Sequence, residues 1–357
     1  MKQWAQSVQV GFTFIGTVVG AGFASGREVL QFFTRFGEVG PYLILLSTLL
    51  FIWIGSKVMV LAVKLNARSY EDLNKHLFGE NGGRWVSHIM LLVLLGVNAV
   101  MLAGAGSIFS EQLNWSYQIG LIVTIIACFT ILRKGMNAIL LMNTLIVPLM
   151  IVFTLWITFE TFRTPQATEA WTSSIVGISP WAAWLSPLLY AAFNLSMSQA
   201  VLVPLGAAIG NVQIIQRGAW IGGIGIGLLL LAGHLAISAR MPGISQLEIP
   251  MGGIARELGG WLHGVYVFLI FAEIFTTLVA DIYGLTLQLQ QRTSSSRDML
   301  ALLLLFICFV VGQIGFGTLL GWLYPMFGLL SLVWLYLISK HRITPLSPSL
   351  REDHHLR

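Results

Sequence analysis

Ten stretches of about 20 predominantly apolar residues follow one another along the chain, centred near Gly16, Phe51, Val97, Val123, Met150, Asn194, Leu229, Phe275, Leu305 and Trp334. This succession leaves few folds open. In hydrocarbon every backbone N–H and C=O must be bonded within the protein, so apolar runs of this length become α-helices. The 357 residues include 56% hydrophobic and only 10% charged side chains, which excludes a water-soluble globule. Ten spans use nearly all of the chain. Residues 1–357 therefore read as one all-α integral membrane domain with a short polar tail at 341–357. The first span is too long for a signal peptide and lacks its small-residue cleavage site, so it is expected to be retained. Cys128 and Cys308 fall inside apolar runs, as buried free thiols do.

Charge sets the expected orientation. Basic residues collect in short cytoplasmic loops. With the N-terminus inside, Lys2, Lys64, Arg84, Lys134, Arg217, Arg297 and Lys340 lie on the inner side, and the outer loops hold only Arg35, Arg163, Arg240 and Arg256. An even number of spans then places both termini in the cytoplasm. The net charge of +5 follows from this topology, and no loop interleaves basic with stacking aromatic residues, which speaks against a nucleic-acid partner.

One span is not a plain helix. Residues 16–28 read GTVVGAGFASGRE, a glycine-dense interruption where a membrane helix ought to be continuous. Glycine lets the chain leave helical geometry, and the freed backbone groups are tolerated only where protein, water, an ion or a substrate meets them. Many transporters consist of two inverted repeats with binding sites in corresponding broken helices; ten spans divide into repeats at about 5–162 and 180–340. The sixth span carries Asn194-Leu195-Ser196-Met197-Ser198-Gln199 at its middle, which predicts a second break there. The other reading of that run is a whole helix whose Asn and Ser side chains bond to its own carbonyls or hold helices together.

The segment Gly16-Thr17-Val18-Val19-Gly20-Ala21-Gly22-Phe23 resembles the unwound first helix of LeuT-fold transporters in the amino acid–polyamine–organocation superfamily. The longer run GTVVGAGFASGREVLQFF resembles the YkvI family of bacterial membrane proteins. The resemblance implies about ten transmembrane helices in a 5+5 inverted repeat, broken first and sixth helices, and residence in a bacterial cytoplasmic membrane. It extends to Thr276-Thr277 in the eighth span, where sodium-coupled members carry a hydroxyl pair. By that likeness a sodium ion would bind the Thr276 and Thr277 hydroxyls and the carbonyls of Gly16, Val19 and Glu273, an all-oxygen set suited to a hard cation. Adjacent threonines also commonly bond to the preceding turn, and that alternative stays open. Proton-coupled relatives place a lysine of the fifth helix near this site; here Lys134 stands only at the start of that span, which favours sodium.

The substrate site is expected beside the ion, between the two breaks. Past Gly20, the amides of Gly22, Phe23, Ala24 and Ser25 would face a substrate carboxylate at a helix N-terminus. The carbonyl end near Phe193 and Asn194 would face an ammonium group, so a zwitterionic amino acid satisfies both. Phe193 and Met197 are candidates for an apolar pocket, against the commoner role of packing. Asn98 in the third span is a polar candidate whose alternative is an interhelical hydrogen bond.

Charges inside a membrane are costly and therefore mark function. Arg27 and Glu28 follow the break as candidates for an outer gate or for contact with a substrate carboxylate. The LeuT-like arginine stands one position earlier, at Gly26 here, and its acidic partner is missing from residues 317–340. Glu273 and Asp281 lie two turns apart on similar faces of one helix. Either is a candidate proton carrier, cation counter-ion or partner of a basic group such as Lys57 or Arg27, the ion pair being the preferred reading for Asp281. Residues 246–258 read as an outer lid or an interfacial helix. No metalloenzyme spacing, phosphate loop or nucleophile elbow occurs, which speaks against an ATP-driven pump, an enzyme or a resident cofactor. The sequence thus predicts a secondary transporter that carries a small amino acid or related amine with sodium by alternating access. Proton coupling through Glu273 and a non-transporting membrane sensor are the alternatives.

Overall fold

The computed structural model describes residues 2–67, 69–134, 136–163, 180–290 and 293–341, and among them there are helices and turns but no strand. Apart from its first residue, the expected polar tail lies outside the described residues. The first span is interrupted into α1 (Lys2–Val18), α2 (Ala21–Ala24) and α3 (Arg27–Phe32). The second runs through α4 (Gly40–Leu50), a π-helical turn at Phe51–Gly55 and α5 (Ser56–Leu65). Then come α6 (Tyr70–Ser107), α7 (Tyr117–Lys134) and α8 (Met136–Phe162). The second half contains α9 (Pro180–Ile209), α10 (Val212–Ser238), the short α11 (Pro250–Leu258), α12 (Gly260–Gln290), α13 (Arg297–Gly312) and α14 (Phe316–Lys340).

Local chemistry sets these ends. Ser69 caps α6 reciprocally with Asp72: its hydroxyl accepts from Asp72 N–H, and Ser69 N–H donates to the Asp72 carboxylate, both at 3.1 Å. Asn211 caps α10 through its carbonyl oxygen, which accepts from the amides of Gln213 and Ile214. Gly26 holds φ at 79°, in the left-handed region that favours glycine, and so lets α3 start in a new direction after α2.

Six stretches, from Thr34–Leu65 to Phe316–Lys340, are long and apolar enough to cross a bilayer by length and composition. Of the other four expected spans the first is interrupted, α7 and α13 are shorter, and α8 runs for 27 residues with Pro148 inside. α13, for instance, has 16 residues, about 24 Å of helix. The two halves pack as counterparts. α1, the first helix of one half, lies along α10, the second of the other, while α9 lies against α4 and α5. α6 packs on α12, so the third helices meet between the two pairs. Cys128 and Cys308 are buried free thiols.

The sixth span departs from expectation. α9 is one uninterrupted helix from Pro180 to Ile209 despite Pro187 and Pro204. Part of its polar run bonds within the helix: Asn194 donates to the Tyr190 carbonyl (3.0 Å) and Ser196 to the Phe193 carbonyl (2.8 Å), whereas Ser198 Oγ and Gln199 Oε1 are buried without a partner. The Ser196 hydroxyl also meets that of Ser331 on α14 (2.8 Å), so these side chains join helices rather than open one.

Candidate functional site

Helical bonding in the first span is interrupted after Val19, and again where the chain turns at Gly26. It ends with Val19 N–H donating to the Ile15 carbonyl (2.8 Å) and resumes with Ala24 N–H donating to the Gly20 carbonyl (2.9 Å). Between them Gly20 is extended, at φ −114° and ψ −169°. Among the described residues the carbonyls of residues 16–19 accept no backbone hydrogen bond, and the amides of residues 20–23 donate none. The break is narrower than its sequence suggests. Gly16 remains inside α1, and the Ala24 and Ser25 amides bond back to Gly20 and Ala21. Those two amides are therefore not free for a substrate carboxylate, a correction to the expected set.

A cavity of about 220 Å³ opens at this break. Thr17, Gly20 and Gly22 form one wall, and Phe193, Asn194 and Met197 of the unbroken α9 face them. Val97 and Met101 of α6 and Thr277 and Asp281 of α12 complete the sides, with Tyr324 of α14 against Phe193 at 4.5 Å between ring centroids. On α9 the lining continues to Ala200 and Val201, toward the helix end at Ile209. In the alternating topology that end shares a side of the bundle with Lys2.

Glu28 enters the cavity by folding back over the break. A Cβ placed on Gly22 would stand 2.7 Å from the Glu28 carboxyl carbon, so the glycine is what lets the carboxyl lie there. Glu28 is 5% exposed. Its Oε2 and the Tyr190 hydroxyl are buried against each other, in a contact that falls short of a well-formed hydrogen bond, and neither has another partner.

The threonine pair divides. Thr276 is buried and donates to the Glu273 carbonyl (3.2 Å), the ordinary bond to its own helix. Thr277 and Asp281, one turn apart, line the cavity. Glu273 lies outside the lining; its Oε2 is buried and unpartnered. Gly16 and Val19 adjoin the lining residues Thr17 and Val18 without lining it themselves.

Other expected contacts are absent. Asn98 is buried outside the cavity because its amide nitrogen is taken by the Leu94 carbonyl at 2.7 Å. Phe23 and Ala24 are buried away from it as well. Among the described residues Asp281 has no ion-pair partner: Lys57 donates to the Ser339 carbonyl (2.7 Å), and Arg27 to the Leu247 (2.8 Å) and Ser245 (3.3 Å) carbonyls.

Those Arg27 contacts belong to a seal on the side of the break away from Lys2. Met251 N–H donates to the Ser25 carbonyl, and the Tyr266 hydroxyl to that of Ala24, both at 3.0 Å. The Glu111 carboxylate at the end of the third span accepts from the amides of Ile249 (2.9 Å) and Glu248 (3.2 Å). Glu248 in turn accepts from Gly317 N–H at the start of α14. The segment before α11 therefore lies as a lid over the break. The acidic group near Arg27 is Glu248 of this lid, which, like Arg27, closely flanks Gly317. Sequence reasoning sought it on the tenth span, and no local pattern signals a partner more than 200 residues away. Tyr324, Met101 and Val97 were also missed, since lining residues of these types look like ordinary packing.

No protein-family model matches the chain. Among solved structures it is similar to MhsT in complex with L-phenylalanine, with a TM-score of 0.64 and 14% identity over 94% of this chain and 89% of that one. It is also similar to the Eremococcus coleocola manganese transporter, in the H236A mutant, with a TM-score of 0.59 and 13% identity over 94% and 77%. These likenesses give the fold, that of LeuT. Among relatives by sequence, the protein YyaD of Bacillus subtilis (strain 168) is 24% identical over 93% of this chain and 96% of its own length. The membrane protein YkvI of the same organism is 37% identical over 92% of this chain and 93% of its own length. At that identity and coverage the chain belongs to the YkvI family of membrane proteins.

Proposed function

We propose that the protein is a secondary active transporter of the cytoplasmic membrane, importing a small amino acid or related amine together with sodium by alternating access. The observation that carries this reading is the cavity at the helix break. It is lined from both halves, holds unpaired backbone groups near two carboxyl groups, and lies under a lid sealed on the side away from Lys2. Such a site is accessible from one face at a time, as alternating access requires. With the N-terminus inside, the sealed side is extracellular, and the cavity extends toward the cytoplasm.

In this reading the coupling ion sits between Thr277, Asp281 and the free carbonyls of residues 16–19, oxygen donors suited to a hard cation. Thr276 and Glu273 serve the helix that holds Thr277. The organic substrate lies against Gly20, Gly22, Phe193, Asn194 and Met197. Arg27 keeps the lid closed while the substrate leaves inward. The kinship with a manganese transporter and with MhsT in fold supports transport without naming the cargo. A second reading rests on the unpartnered carboxyl of Glu273, which suits a proton carrier.

Thermal unfolding of the purified protein in sodium against potassium or choline salts tests the ion. Sodium-specific stabilisation that Thr277→Ala removes supports sodium coupling. Stabilisation that depends on pH alone and vanishes in Glu273→Gln supports the proton instead.

A further inference from the structure

The cavity also points to the charge of its organic ligand, an inference that rests on the transport reading above. Among the described residues its lining includes two carboxyl groups, of Glu28 and Asp281, and no lysine, arginine or histidine. Glu28 is buried with only the Tyr190 hydroxyl against its Oε2 and no cation near it, so its ionised form is costly until a cation joins it. Its carboxyl packs on Gly22, where the unpaired amides of residues 20–23 begin. The place that a substrate carboxylate would take is thus already held by a carboxyl group of the protein. A substrate carboxylate there would meet it at contact range, and two carboxyls in a poorly solvated site cannot both be ionised without strong repulsion. Phe193 and Tyr324 line the same cavity, and aromatic rings attract organic cations.

We infer that this site takes an organic monoammonium ion without a carboxylate. Its ammonium group lies on Glu28, and its carbon body lies against Phe193, Tyr324, Met101 and Met197. Asp281 and Thr277 are left to the coupling ion, so that two cations balance two carboxylates. A volume of about 220 Å³ admits a branched alkylamine or a one-ring arylalkylamine.

The test uses pairs that differ only by the carboxylate: isoamylamine with L-leucine and 2-phenylethylamine with L-phenylalanine, with MnCl2 as a third probe. Each is added to the purified full-length protein in NaCl, and binding is read by thermal unfolding and equilibrium dialysis. At least one amine is expected to bind about tenfold or more tightly than its amino acid, the size of effect that one close charge contact produces. Glu28→Gln is expected to weaken amine binding by about tenfold or more and to shrink the difference within the pair. Asp281→Asn should lose the response to sodium and keep the preference for the amine. If Glu28→Gln does not fold, the pairs on the unsubstituted protein decide alone. Amino acids that bind as well as their amines, stabilisation by Mn2+ alone, or no response to any probe overturns the inference. Amine binding without flux in proteoliposomes overturns the transport reading and leaves the ligand class standing. Sodium-driven flux of L-leucine or L-phenylalanine does the reverse.

Discussion

The opening span of the first half and that of the second meet similar surroundings and treat their backbones in opposite ways. α1 contains no proline and yet stops at Val18, whereas α9 contains Pro187 and Pro204 and runs unbroken for 30 residues. In α9 the Asn194 and Ser196 side chains add bonds to carbonyls of a helix that stays continuous, while Gly20 and Gly22 bring no side chain at all. Their backbone groups must find partners beyond the helix, which is what a ligand site needs. The broken helix thus contributes backbone polarity to the cavity, and the continuous one contributes Phe193, Asn194 and Met197.

Substitutions can break or sharpen this contrast. Gly22→Ala should have the largest effect, because its Cβ would meet the Glu28 carboxyl. Ligand binding should be lost by dialysis, with a folding cost of about 1–3 kcal/mol in thermal unfolding. Gly206→Ala on α9 is the matched control: its Cβ would stand 3.0 Å from Met59 Cα. It should lower stability by a similar amount of about 1–3 kcal/mol while any folded fraction still binds ligand. Thr277→Ala should weaken sodium binding by about tenfold, the worth of one lost oxygen ligand, whereas Thr276→Ala should change it by less than about threefold. Ser196→Ala removes the link to Ser331 and the bond to the Phe193 carbonyl of its own helix, a loss of about 0.6 kcal/mol for the interhelical link read by chemical denaturation. Gly20→Ala should be the mildest, within about 0.5 kcal/mol, since no atom lies within 4 Å of the added Cβ and the backbone there suits any residue.

Much of the fold was legible because apolar length is a one-dimensional signal. Each of the ten runs lies on helix, six of them among the described residues long and apolar enough to cross a bilayer, and the glycine density of residues 16–28 located the break in the first. What failed were judgements that depend on direction. Asn194 and Ser196 looked like the polar edge of a gap, but a side chain that reaches its own preceding turn strengthens continuity, and composition is blind to that choice. Asn98 failed for the same reason. Glu28 was noticed as an intramembrane charge, yet its return over Gly22 depends on the turn at Gly26, with φ at 79°, which only coordinates reveal. Asp281 was expected to find Lys57 or Arg27; both donate instead to backbone carbonyls, which leaves its carboxyl to the cavity.

The central claim is that this break serves coupled transport, and uptake into proteoliposomes addresses it most directly. Labelled isoamylamine, 2-phenylethylamine, L-leucine and L-phenylalanine are offered under an inward sodium gradient at zero pH gradient, with Gly22→Ala as the matched negative. The account predicts that at least one accumulates, that accumulation collapses when an ionophore dissipates the sodium gradient, and that Gly22→Ala shows none. Binding without uptake of any of the four, or uptake that Gly22→Ala sustains at the level of the unsubstituted protein, would contradict it.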